Sequence, residues 1–358
     1  MSSDSNEKGK TLQNQNQDKV EFTLSTNPVV KTDKLDQYYH GHGKLLLSGE
    51  YFVLDGAEAL ALPTTVGQSL TVRYSPSFNP VLSWKSFDPK GQLWFEAKFE
   101  FWRFNLIGSE DTEETKVLQG LLREARKQNP HFLRDEVDVF VETRLGFPLD
   151  WGLGSSSTLV FNIAQWAYVS PFELLFKTMR GSGYDIACAQ SEGPIIYQKN
   201  SSGPKWAPTA FDPSFKDNLW FVYLGHKQNS RAAIAKYREN KSRPEQVTRI
   251  TELTRLMAQA QTLQEFQSAL LEHEAILSER LGQKTVKEEK FSDFNGEIKS
   301  LGAWGGDFIL VSSDMNHEDV SSYFKQKGLD VCLPYRELIL PPHQMGGHTN
   351  GKQNDLVH

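Results

Sequence analysis

The chain is 358 residues long, enough for one large domain or two ordinary ones with a sizeable core. Lys plus Arg number 39 and Asp plus Glu 45, a net charge of −6, which argues against nucleic acid or an anionic membrane surface as partner, since both ask for a basic excess. Only two cysteines occur, Cys188 and Cys332, far apart and without a CxxC; this excludes a disulfide scaffold or a cysteine-rich zinc site and fits a reducing cytoplasm.

Residues 1–20 are rich in Ser, Asn, Gln and Lys and read as a disordered leader without the apolar core of a signal peptide. No apolar run reaches the roughly 18 residues of a membrane span. The first half is strand-rich. Ser69–Tyr74 alternates in part. Leu93, Phe95, Ala97, Phe99 and Phe101 alternate with mostly polar residues, as in a strand with one wet face, and Val137, Val139 and Val141 repeat the pattern. Between them Val117, Leu118, Leu121, Leu122 and Ala125 fall at helical spacing, and Asn129-Pro130 ends that helix. In the second half Leu219–Leu224 is a continuous apolar strand. Ser242, Pro244 and Glu245 mark a helix start. Thr262 and Glu265 form a capping box ahead of Phe266, Leu270, His273 and Leu277 on one face. Phe308–Val311 reads as a late buried strand, and 344–358 as a loose tail. Strands and helices mixed in this irregular order predict α+β rather than repeated βαβ units, with a boundary near 195.

Four glycine-rich segments carry chemistry. Gly152-Leu153-Gly154-Ser155-Ser156-Ser157 runs straight into an apolar helix. Glycines let backbone approach a ligand, and the free N–H groups of a first helical turn point outward, which together make an anion site. The serines add hydroxyls, one of which could ligate Mg²⁺. The same pattern also describes a serine-capped helix after a tight turn; it is neither a Walker A loop nor a dinucleotide fingerprint. Gly41, Gly43 and Gly49 flank Lys44 at the entry to a short strand, a lysine for a phosphate or a solvated strand-edge residue. Gly181-Ser182-Gly183-Tyr184 leads into Asp185, a general base or an N-cap. Gly302-Ala303-Trp304-Gly305-Gly306 precedes Asp307 and the late strand, as a ligand loop or a hairpin turn. His40 and His42 form a His-x-His without a third ligand and read as loop residues.

In this order the segments resemble the three motifs of the GHMP kinases, a family covering galactokinase, homoserine kinase, mevalonate kinase and phosphomevalonate kinase. The resemblance spans about residues 40 to 312. Gly43-Lys44 through Pro63 looks like the first motif of mevalonate-type enzymes. Tyr51, the Gly181–Ala187 segment and Asp307 lie nearer the phosphomevalonate kinases and a bacterial branch known by its Gly-Tyr-Asp-Ile-Ala motif. Pro148-Leu149-Asp150-Trp151 before the middle motif and Trp304 in the last depart from the family pattern. So does the short segment between Ser157 and Gly181.

The resemblance implies a two-domain α+β fold. An N-terminal ATP-binding domain over 21–195 would resemble ribosomal protein S5, and a C-terminal domain over 196–343 would be ferredoxin-like. It implies ATP and Mg²⁺ as cofactors and transfer of the γ-phosphoryl group to mevalonate or 5-phosphomevalonate. Lys44 and Asp185 would be catalytic, and Gly152, Leu153, Gly154, Ser155, Ser156 and Ser157 would bind ATP. Ser155, Ser156 and Glu173 are the candidate metal ligands. Ser182, Lys227, Ser230, Arg231, Gly302 and Gly305 are the candidate substrate contacts, with Arg180 nearby as a further basic group. A GHMP kinase for another small alcohol, a diphosphomevalonate decarboxylase and a non-catalytic ligand-binding protein of the same fold are the alternatives.

Overall fold

The structure is a computed structural model that describes residues 36–108, 111–135, 137–179, 181–225, 230–239, 242–302, 304 and 306–342; the side chains of 230–232 are outside that description. The expected leader and tail fall outside the described residues.

The first sheet is built from β1 (Gln37–Leu46), β2 (Ala59–Pro76), β3 (Val81–Phe87), β4 (Leu93–Glu100), β5 (Val137–Leu145), β6 (Ile195–Asn200) and β7 (Gly203–Pro208). Its order is β4-β3-β5-β2-β6-β7, with β1 paired to β2, and only the β3–β5 pairing is parallel. Alternate residues of these strands bury a face: Leu70, Val72, Trp84, Phe99, Val139 and Val141 pack against Leu118, Leu121, Val160 and Ile163. Those last four come from α1 (Glu113–Gln128) and α2 (Ser155–Ala167). The alternation read from sequence therefore marks the helix-covered face. Thr112 caps α1 through Thr115 N–H, and Asn129 ends it, as its proline dictates. Two short helices follow, α3 (Pro171–Thr178) and α4 (Tyr184–Ala189).

The division expected at 195 falls at the start of β6. Strands β6 and β7 stay in the first sheet, because β6 pairs with Ala59–Ala61 of β2 and β7 pairs with β6. The first sheet thus extends to Pro208.

The second sheet joins β8 (Leu219–Tyr223), β9 (Glu297–Ser300), β10 (Phe308–Ser312) and β11 (Cys332–Pro334) in the antiparallel order β11-β8-β10-β9. Its helices are α5 (Ser230–Arg238), α6 (Pro244–Gln259), α7 (Leu263–Leu281), α8 (Val286–Lys290), α9 (His317–Gln326) and the short α10 (Tyr335–Leu338). Period-two alternation splits β8 and β10 between two cores. Phe221 and Leu310 face the large core with Phe266 and Leu270 of α7, while Val222 and Ile309 face Phe291 and Phe324. The Thr262–Glu265 capping box forms as its spacing predicts; α6 begins after Arg243 rather than at Ser242.

The chain then returns to the first sheet. Leu340 N–H bonds to Pro63 O (3.0 Å), and Thr64 bridges to Ile339. The large core takes residues from both sheets, Leu45, Leu60 and Leu145 together with Phe221 and Leu310, so the two sheets share one hydrophobic interior. A cleft opens where their glycine loops meet.

Candidate active site

The middle loop earns its shape from two glycines. After a 3-10 turn over Leu149–Trp151, Gly152 (φ 66°) and Gly154 (φ 95°) both lie in the left-handed region, which side chains disfavour. Leu153 between them is fully buried and anchors the loop. Gly154 is the N-cap of α2 and offers no side chain, so no capping group closes the first turn of N–H groups. Ser157 Oγ donates to Gly154 O (2.8 Å), and Thr158 Oγ1 to Gln68 Oε1 (2.7 Å). Those two hydroxyls hold the loop in place. Ser155, Ser156 and Ser157 all line the cleft with the uncapped helix start.

A Cβ on Gly152 would run into the Asp307 carboxylate, and one on Gly154 would press on the stem of Lys44. We expect Gly152→Ala to lose more stability than the roughly 1–2 kcal/mol of left-handed strain and to weaken nucleotide binding. Gly282→Ala is the control, since Gly282 has φ 61° and open space around it. Denaturant melts and a nucleotide titration check this; equal losses at the two sites would contradict the close approach.

Lys44 leaves β1 just after a bulge between His42 and Lys44, and its N–H bonds to Leu153 O (2.9 Å). The phosphate loop and the lysine are thus fixed to each other by backbone. Its Nζ lies 5.7 Å from the centroid of the Tyr184 ring. Burial works against the Lys44 charge, but Tyr184 and the Asp185 and Asp307 carboxylates outweigh it and hold the ammonium above its ordinary value. Asp185 is not the N-cap of α4; Gly183 is, and Asp185 sits in the first turn with Oδ1 accepting from Ile186 N–H (3.1 Å). Burial pushes the Asp185 carboxyl up, against the pull of Lys44, so its carboxylate is a stronger base than an exposed one.

No family model matches the chain, and no curated protein matches it. Solved structures do. The L. major mevalonate kinase, in complex with R-mevalonate, is 14% identical and superposes with a TM-score of 0.59 over 86% of this chain and 96% of its own. The Streptococcus pneumoniae phosphomevalonate kinase, in complex with phosphomevalonate and AMPPNP, gives 15%, 0.61, 82% and 98%. Lactococcus lactis galactokinase, complexed with galactose, gives 14%, 0.55, 82% and 88%. The chain has the GHMP kinase fold.

Within that fold, a cavity of about 300 Å³ brings together Lys44, the Gly152 and Gly154 loop, Ser155–Ser157, Ser182, Asp185 and Gly302. Ser182 is buried and its carbonyl accepts from Tyr197 Oη (2.5 Å). Gly302, with φ 71°, turns the loop between β9 and β10; this loop is both a hairpin connection and a wall of the cleft. Glu173 is not brought in. It is exposed on the first turn of α3, whose N-cap Ser170 takes the Glu173 N–H, and it is not among the residues that line the cavity. Ser230 and Arg231 open α5, with their side chains outside the described residues, as are Arg180, Lys227 and Gly305. His40 and His42 are in β1 rather than a loop, and among the described residues no group of three His, Cys, Asp or Glu could hold a metal.

Three residues at the cleft were not singled out by sequence as site residues: Tyr184, Asp307 and Glu50. Tyr184 had a signal, adjacency to Asp185. Asp307 is legible only once Gly152 is seen against it. Glu50 is packed out of solvent with partners more than two hundred positions away, which spacing does not reveal.

Proposed function

We propose that this protein is an ATP-dependent small-molecule kinase whose acceptor is an alcohol, mevalonate foremost, with 5-phosphomevalonate as the neighbouring choice. The observation that carries the reading is the half-buried Lys44 and Asp185, electrostatically coupled beside Tyr184 in the same cleft as the uncapped start of α2. The residues present fit ATP and Mg²⁺. The glycine cradle is one that a Cβ would fill, the helix N-terminus favours anionic charge, and Ser155 and Ser156 line the cleft. When bound, Mg·ATP supplies the electrophilic γ-phosphoryl group with its charge partly neutralised.

The rest is work for this chain's own groups. The first-turn N–H groups of α2 bind and orient anionic oxygens. Asp185 Oδ2 receives the acceptor hydroxyl proton, since Oδ1 is held by Ile186 N–H. Lys44 keeps Asp185 ionised and stabilises negative charge developing between acceptor and phosphoryl group. The first motif, Gly43-Lys44 through Pro63, favours a mevalonate-type acceptor, whereas Gly181–Ala187, Tyr51 and Asp307 lean toward 5-phosphomevalonate; the likeness to mevalonate and phosphomevalonate kinases supports both. Asp185, half-buried in the cleft with Lys44, suits an alcohol acceptor, whose hydroxyl proton needs a base; with a phosphate acceptor it would serve only to orient Lys44.

Coupled ADP release with mevalonate, 5-phosphomevalonate, homoserine and galactose tests the reading. Acceptor-dependent release strongest with mevalonate or phosphomevalonate supports it. Release with galactose alone would move the assignment to the sugar kinases, to which the galactokinase likeness points. Nucleotide binding without release for any acceptor would mark a non-catalytic protein. Ser155→Ala or Ser156→Ala should weaken Mg·ATP binding or lower kcat by about tenfold, roughly the worth of one hydrogen bond to a charged group, without unfolding the chain. Both variants at wild-type turnover under limiting Mg²⁺ would remove these serines from the site.

A further inference from the structure

Behind the side of the cleft lined by Glu50, Tyr51 and Gly302, where the resemblance puts the acceptor, lies a charged cluster that the reaction above does not use. Lys299 of β9 is fully buried. Its Nζ bonds to Glu50 Oε1 (2.6 Å), to Glu274 Oε1 of α7 (3.3 Å) and to Ser300 O (3.0 Å). Ser300 N–H donates to Glu274 Oε2 (3.2 Å). On the other side of Glu50, Gly49 N–H donates to His273 Nε2 (3.0 Å), and Tyr51 Oη accepts from Trp304 N–H (2.9 Å). The turn Gly49–Tyr51 belongs to the first sheet's leading motif, and Trp304 to the late glycine loop. Glu50, Tyr51 and Gly302 all line the cleft.

We propose that Glu274 and Lys299 are positioning residues: by setting how firmly the Lys299 ammonium is held to Glu50, Glu274 sets the register of the Gly49–Tyr51 turn against the Gly302–Asp307 loop, and so the acceptor end of the site. This rests on the kinase reading above. The cluster is one cation short. Two buried carboxylates, Glu50 and Glu274, face a single ammonium. The other titratable group against them, His273, brings no charge, because its Nε2 accepts the Gly49 N–H and burial, with Lys299 nearby, depresses its basicity well below the ordinary value. A buried excess of negative charge is costly and favours uptake of a proton. Burial and the nearby Glu50, against the pull of Lys299 and Ser300 N–H, push the Glu274 carboxyl up to about 7. With Glu274 protonated, Lys299 is left to Glu50. With Glu274 ionised, the two carboxylates compete for it.

The test compares wild type with Glu274→Gln, which keeps the shape and removes the titration. In amide-resolved NMR without nucleotide or acceptor, Gly49, Tyr51 and Trp304 should move with one midpoint near neutrality in the wild type and stay flat in the variant. In turnover, the wild-type acceptor KM should rise by about threefold or more relative to that of the variant between about pH 6 and about pH 8.5, with the KM for ATP unmoved. Flat amides in the wild type, or the same titration in both proteins, overturn the proposal. So does an acceptor KM ratio that does not change with pH. Because the amide arm contains no substrate, it decides the matter even if no acceptor is turned over, and keeps a failure of the kinase reading separate. Should Glu274→Gln not fold, Glu274→Asp serves: its shorter carboxylate should displace the midpoint, and an undisplaced midpoint counts against the proposal.

Discussion

Asp185→Asn should lower kcat on the best acceptor by about 10²–10⁴, the usual contribution of a positioned general base, while the melting curve stays close to wild type. Asparagine keeps the shape and can still accept the Ile186 N–H at its side-chain oxygen, so α4 is undisturbed. What disappears is the proton acceptor and the anion beside Lys44. Lys44→Met should also lower kcat, since it removes positive charge beside the transferring group. The double variant should lose much less than the product of the two losses, because groups acting as a unit are not additive. A kcat within about threefold of wild type for Asp185→Asn would sink the base assignment.

The second large effect is on stability. Lys299 is 0% exposed and is the cation shared by Glu50 and Glu274. Lys299→Met strands both carboxylates in the core, and breaking a buried pair from one side costs about 3–5 kcal/mol. The sign with pH follows. Carboxyls raised by burial hold protons in the folded chain that the unfolded chain has released. Stability therefore falls as pH rises through the folded value, which for Glu274 in the wild type is about 7. The Lys299→Met deficit should accordingly be larger at alkaline than at mildly acidic pH. Urea melts at the two pH values measure it. A loss below about 1 kcal/mol at alkaline pH would mean that the cluster is hydrated in solution. Lys327→Met, at an exposed pair with Asp293, is the control and should change little.

Local chemistry was legible in the sequence where one element answers to its own residues. The Thr262 capping box, the Asn129 stop and the alternation over Leu93–Phe101 mark elements that form because their periods and caps agree. The glycine-serine loop was legible too, since positive φ at Gly152 and Gly154 is a backbone demand that only glycine meets cheaply. The boundary was misplaced because β6 belongs to the first sheet through pairing with Ala59–Ala61, a long-range contact with no local signature. The outward position of Glu173 has a related cause: it follows a capping serine on a short helix, and only the packing of α3 shows which way it faces. The Glu50–Lys299–Glu274 cluster joins three distant stretches, and a lysine in a short, mostly polar strand gives no hint that it is buried and paired.

Transfer of the ATP γ-phosphoryl group to a small alcohol in the Lys44–Asp185 cleft can be followed in the product itself. The most direct measurement is ³¹P NMR of the product from ATP and mevalonate, with wild type and with Asp185→Asn. A new phosphomonoester resonance should appear that grows in step with ADP, requires the acceptor, and is nearly lost in Asp185→Asn. ADP formed without any ester, or an ester formed equally fast by Asp185→Asn, would contradict it.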